Sequence, residues 1–281
     1  MGRTVQNYPS GQDARPPAGR VEAITVQFHP DWPHVDGRVI ESIAAEGYYR
    51  SQFATGVSNG GLTAFAGGDR WKWESRLFAG RYDRDAATNR PVYGAWNRRA
   101  DPYGAAIRFG SSYLRLHTAA IDRATFCFPD SVFEPVDVGG AELLPYLRAL
   151  ADQSGLDDLD DYVETHIHGA VRVSTDVAAI VLDPSFVGTA VHAAAHQLGC
   201  PIEFHAGFTA SPDALDPEYR GAHIVELARR LGTELTPRII GDAAHAGTYP
   251  AQTLKQLWHC LARFGRHNNA KHAPPSRNLQ P

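Results

Sequence analysis

Cysteine and methionine are scarce in this sequence, with three cysteines and one methionine in 281 residues. Cys127, Cys200 and Cys260 are too few and too far apart for a disulfide framework or a CxxC zinc site. Cys127 and Cys200 sit in apolar contexts that suit buried, inert thiols. Excess positive charge is also missing: 27 Lys and Arg stand against 31 Asp and Glu, a formal charge of -4. That balance argues against a nucleic-acid binder working by phosphate neutralisation. No apolar run is long enough to cross a bilayer. Met1 to Arg20 is polar, carries Pro16 and Pro17, lacks the apolar centre of a signal peptide, and is expected to be disordered. Acidic residues stop at Asp242, leaving Lys255, Arg263, Arg266, Lys271 and Arg277 as a basic tail. Such a tail reads as solvated surface or as a contact for an acidic partner.

What is present is an ordinary apolar fraction, 43%, enough to core one large domain or two small ones. Val21–Phe28 reads as a strand that runs into the His29-Pro30-Asp31 turn. A helix is expected from about Asp36, its cap, to Gly47, its stop. Tyr48–Phe53 is a short aromatic segment, and the glycine-rich run 56–62 reads as a turn or as a close approach to a ligand. Trp71, Trp73 and Phe78 are read as packing anchors in a loop-rich section. Residues 108–116 and 124–128 read as strands and 141–151 as a helix. Strand 177–182, helix 189–198 and strand 201–204 make a βαβ-like unit. Helix 221–231, a short strand 238–240 and helix 251–264 follow, with a compositional shift near Asp183 or Pro184.

The most informative stretch is Asp160–Gly169. A two-residue period puts Tyr162, Glu164, His166 and His168 on one face and Val163, Thr165 and Ile167 on the other. A carboxylate and two imidazoles make poor core material, so this face is expected to line a cleft. Two chemistries fit it. Glu164, His166 and His168 form a facial ligand set for zinc or iron, with His29, His34, His205 or His245 to complete it. Alternatively, Glu164 is an isolated carboxylate that opposes an oxocarbenium ion at a ribose anomeric carbon, while a second carboxylate takes a proton from an incoming hydroxyl. Asp130 is the candidate for that second group, because its strand would end beside Glu164 if the two strands pair antiparallel.

Eight segments add a resemblance: ITVQFHPDWPHVDGR, GYYRSQFATGVSNGGLTA, GGDRWKWESRLF, RPVYGAWN, RFGSSYLRL, TFCFPDS, DDYVETHIHG and WHCLARFG. Taken in this order, over roughly Ile24 to Phe264, the chain resembles the CteC-like family of bacterial mono-ADP-ribosyltransferases. The resemblance implies an α+β, PARP-like ADP-ribosyltransferase fold, with a split mixed β-sheet core, flanking helices and a C-terminal α/β extension. It divides the chain into a disordered segment 1–20, a catalytic core 21–183, a C-terminal subdomain 184–266 suited to target recognition, and a flexible tail 267–281.

The implied activity is transfer of ADP-ribose from NAD+ to a threonine of ubiquitin, which blocks ubiquitination; no nucleic acid or membrane takes part. It further implies an effector or toxin, cytoplasmic in its producer and delivered into a host or competitor cell. Glu164 is the implied catalytic glutamate. Asp130 is the implied aspartate, with Asp31 as the alternative. His29 and Arg50 are implied NAD+ contacts, and Tyr93, Gly94, Ser111 and Ser112 are implied on the nicotinamide side. This chemistry requires no metal.

Overall fold

Val163 and Ile167 are fully buried apolar residues two strand repeats apart on strand Val163–Ile167, which is buried along its whole length. The structure, a computed structural model, describes residues 22–35, 37–56 and 63–267. The expectations for residues 1–20, Asp36, 57–62 and the tail from residue 268 lie outside the described residues.

Eight strands form the main sheet: β1 (Ile24–Phe28), β2 (Val92–Trp96), β3 (Ser112–Leu116), β4 (Ala124–Cys127), β5 (Val138–Gly139), β6 (Val163–Ile167), β7 (Val177–Leu182) and β8 (Ile202–Phe204). Their order across the sheet is β8-β7-β3-β1-β2-β6-β4-β5. β7 and β8 pair in parallel and the other neighbours pair antiparallel. The fold is therefore a mixed α/β one around a large, mostly antiparallel sheet. A split sheet was expected; instead β2 pairs with β6 along five residue pairs, from Val92 with Ile167 to Trp96 with Val163, and joins the two halves. On its other side Gly94 lets β2 lie close to β1, since a Cβ there would meet the Thr25 carbonyl oxygen at 2.8 Å.

One face of the sheet is apolar. Ile24, Val26, Phe28, Leu114, Phe126, Val163, Ile167 and Ile180 share one buried cluster with residues of three helices. These are α1 (Val39–Glu46), α3 (Leu144–Gln153) and α4 (Ala190–Gln197). Helix α1 begins after Arg38, whose N–H donates to the Glu41 carboxylate at 2.8 Å, and ends at Gly47 with φ 72°.

A second core is built by α5 (Ala222–Leu231), α6 (Pro237–Ala246) and α7 (Ala251–Phe264), around Trp258, Leu257, Leu261 and Ile224. An α/β extension from residue 184 was expected. Helix α4 and β8 belong instead to the sheet and its core, and the chain from Phe208 on builds the second core, which Tyr103, Ile107 and Leu159 complete.

Three local expectations change as well. Residues 238–240 lie inside α6, because the Thr236 hydroxyl accepts from the Ile239 N–H at 3.4 Å and Pro237 opens the helix. Trp71 and Trp73 lie on a helix, α2 (Asp69–Leu77), rather than on loops, with Phe78 at its end. Strand β3 starts only at Ser112, because Gly110 passes so close to Phe28 that a Cβ would lie 2.1 Å from its carbonyl carbon.

Candidate active site

The face opposite the main core carries the polar residues. On β6, Glu164 lies opposite Ala95 of β2 and Cys127 of β4, and His166 lies opposite Tyr93 and Thr125. Directly paired residues share a face, so the register gathers these side chains on one side. A cavity of about 300 Å³ opens there, walled by Glu164, Asp130, Tyr93, His29, Arg50 and Arg70 among others. That volume is at the lower end of the range for small-molecule sites, about 300–1,000 Å³.

Glu164 is buried, and its Oε1 meets three donors: the Ser131 N–H at 3.2 Å, His166 Nε2 at 2.8 Å and the Cys127 thiol at 3.9 Å. Burial pushes its pKa up, but the His166 hydrogen bond and charge, Arg70 and the Ser131 N–H outweigh burial and hold it below the usual glutamate range. Asp130 shifts the other way. Burial, and then the Glu164 charge, raise its pKa, although Tyr162 and the Val132 N–H both donate to its carboxylate. The antiparallel pairing of β4 and β6 puts Cys127 beside Glu164, three residues before Asp130, as the candidate pair requires.

The other expected residues divide. His29 lines the cavity, stacked on Trp32 at 4.5 Å, and burial lowers its pKa to about 3, so the ring is neutral. Tyr93 and the Gly94 backbone also line it, with the Tyr93 hydroxyl donating to Glu74 at 3.1 Å. Arg50 is at the exposed mouth, paired with Glu46. Ser111 and Ser112 are fully buried and not among the lining residues: Ser111 offers its carbonyl to His205 and Ser112 its hydroxyl to the Asp183 N–H. Asp31, the alternative aspartate, is also outside the cavity. It is buried against α6, where a Cβ on Gly241 would fall 1.7 Å from its Oδ2.

The expected facial metal set does not converge. His166 Nε2 bonds Glu164 directly, and His168 Nε2 turns to Thr125 at 3.1 Å. Among the described residues, Cys127, Glu164 and His166 are the group whose donor atoms come together, within 4.8 Å of one another.

Residues 23–154 and 145–264 match the model of a family described as "Protein of unknown function (DUF3626)". The chain belongs to that family. No curated protein matches it. Among solved structures, this DUF3626 chain is similar to DarT of Thermus sp. 2.9 in complex with NAD+, at 12% identity and a TM-score of 0.42, over 66% of this chain and 95% of that one.

Sequence reasoning missed three residues of this DUF3626 site, Arg70, Glu74 and Thr125, and the bond by which Tyr162 holds Asp130. Arg70 is buried, lines the cavity, stacks over Tyr93 with 5.3 Å from its guanidinium carbon to the ring centroid, and has an Nε without a partner. Glu74, one helical turn later, is completely buried and paired with Arg90. The spacing of Arg70, Trp73, Glu74 and Leu77 would have shown a helix face carrying both charges. Tyr162 and Thr125 hold Asp130 and the histidines, respectively.

Proposed function

We propose that the cavity is the active site of an NAD+-dependent mono-ADP-ribosyltransferase acting on a protein hydroxyl, with a threonine of ubiquitin as the acceptor. The observation that carries the reading is the pair of carboxylates at one wall, Glu164 held ionised and Asp130 raised. Environments that drive two neighbouring carboxyl groups apart mark them for different roles. Glu164 orients the nicotinamide ribose and opposes the positive charge that develops as the C–N bond breaks. Nicotinamide leaves with the electron pair of that bond. The acceptor oxygen bonds the anomeric carbon, and its proton passes to Asp130, the better proton acceptor of the two.

His29, Arg50, Tyr93 and the Gly94 backbone hold the dinucleotide in this reading, and no metal enters it. The resemblance to CteC-like transferases supplies the acceptor class and, with it, the role of blocking ubiquitination as an effector. The test is intact-mass spectrometry of ubiquitin incubated with the protein and NAD+, beside Glu164→Ala. One added ADP-ribose with the wild type and none with the variant is the expected result. Nicotinamide release with unmodified ubiquitin would remove ubiquitin and keep the enzyme class. Folded protein that leaves NAD+ intact would overturn the reading.

A further inference from the structure

Strand register brings three kinds of metal-binding donor together at the cavity wall. Glu164 and His166 are two residues apart on β6, so both side chains leave the same face. Cys127 of β4 is the direct partner of Glu164 across the sheet. Their donor atoms all lie within 4.8 Å of one another: His166 Nε2 is 2.8 Å from Glu164 Oε1, and Cys127 Sγ is 3.9 Å from that same oxygen. All three residues are buried. Whichever charge the His166 ring carries, its Nε2 is the atom aimed at Glu164.

A tetrahedral ion with bonds of about 2.0–2.2 Å to nitrogen and oxygen and about 2.3 Å to sulfur sets its ligands about 3.3–3.6 Å apart. The two gaps to Glu164 lie on either side of that range, and side-chain shifts of about 1 Å on fixed strands close the difference. A thiolate and a carboxylate together balance a dication, so the filled site is neutral, as burial demands. Sulfur and imidazole nitrogen select a zinc-class cation over calcium or magnesium, which take oxygen ligands. The shell behind the ligands is also in place. Thr125 Oγ1 lies 3.2 Å from His166 Nδ1, and Phe78 and Tyr93 meet the ring edge-on at 5.1 and 5.0 Å. Glu164 walls the cavity, which supplies the entry path.

We propose that Cys127, Glu164 and His166 bind one zinc-class divalent cation, and that the bound cation silences Glu164. On binding, the cation displaces the Cys127 thiol proton and the hydrogen shared by His166 Nε2 and Glu164 Oε1, and both protons leave to solvent. The Glu164 carboxylate then neutralises the metal and no longer meets a positive centre in the cavity. The metal-free protein is the active form, in keeping with a reaction that needs no metal. Silencing of turnover rests on the transferase reading; binding of the cation does not.

The test is a cobalt(II) titration of the full chain after dialysis against EDTA. One equivalent should give the full thiolate-to-cobalt charge-transfer absorption, and zinc should abolish it. Cys127→Ser should lose the absorption and weaken zinc, read by competition with a chromophoric chelator, by about tenfold or more. Glu164→Gln, which keeps the volume, should keep the absorption and weaken zinc by a similar factor. Cys200→Ser and Cys260→Ser should change neither. No absorption in the wild type, or absorption that survives Cys127→Ser, would overturn the site. In NAD+ turnover, one equivalent of zinc should stop nicotinamide release and EDTA should restore it, while Cys127→Ser should need about tenfold more zinc or beyond. Turnover that continues with the site filled would overturn the silencing. Cobalt bound through Cys127 in a protein that leaves NAD+ intact would uphold the site and sink the transferase reading, so the two failures are told apart.

Discussion

Tyr162, two residues before Glu164 and immediately ahead of β6, donates its phenolic hydrogen bond to Asp130 Oδ2. One short segment thus holds one carboxylate of the pair in its own sequence and the other through a tyrosine. This bond lowers the Asp130 pKa against burial and the Glu164 charge, which raise it. Tyr162→Phe should let Asp130 rise further. In the proposed reaction Asp130 must be ionised to take a proton, so the acidic limb of nicotinamide release should move to higher pH. An unchanged limb would take Asp130 out of the proton transfer.

Arg70 brings a buried cation to the cavity wall with its Nε unpartnered. A planar guanidinium there suits an anionic ligand group such as a pyrophosphate, and a lysine does not reproduce its fork. Arg70→Met and Arg70→Lys should both raise KM for NAD+ by about tenfold, corresponding to about 1.4 kcal/mol of lost binding. Steady-state kinetics at fixed acceptor would measure this. Rescue by lysine would reduce Arg70 to a point charge.

Glu164 and His166 bond each other at 2.8 Å and His168 is engaged by Thr125 and Tyr82. Purified protein is therefore expected to keep its NAD+ turnover in chelator and to carry no stoichiometric transition metal by elemental analysis. Loss of turnover in EDTA, restored by one metal, would bring a metal-dependent reaction forward and displace the transferase reading.

The Arg90–Glu74 pair is buried, with side-chain exposures of 4% and 0%. Breaking such a pair costs about 3–5 kcal/mol, because an unmatched charge is left inside. Arg90→Met should lose that much in urea unfolding near neutral pH. Burial already raises the Glu74 pKa, and Arg90 opposes the rise. Without Arg90 the folded chain binds more protons than the unfolded chain between the two pKa values of Glu74. Stability should then fall as pH increases through that window and recover below it. A variant equally unstable at acid and neutral pH would contradict this.

Much of the sheet and part of the site are legible in the sequence, for identifiable reasons. Strand Val177–Leu182 and helix Ala251–Phe264 follow from periodicity to the residue, because each has clear breaks at its ends. The facing of Glu164, His166 and Tyr162 follows from strict alternation on β6. Residues 238–240 mislead because β-branched residues look like strand until Thr236 and Pro237 are read as a helix start. The approach of Arg70 to Glu164 and the burial of Asp31 under α6 come from contacts between elements distant in sequence, which no local pattern encodes. Of the basic tail read from composition, two described residues are paired: Arg263 with Asp157, and Arg266 with Asp101 and Asp158.

Trp258 sits at the centre of the second core, and its indole N–H donates to the carbonyls of Ile107 and Arg108 while its ring meets His29 edge-on at 4.9 Å. His29 and Arg108 both wall the cavity. The C-terminal helices are thus the masonry behind the cavity, and a chain cut after Asp183 would keep both carboxylates yet lose the support under one of its walls.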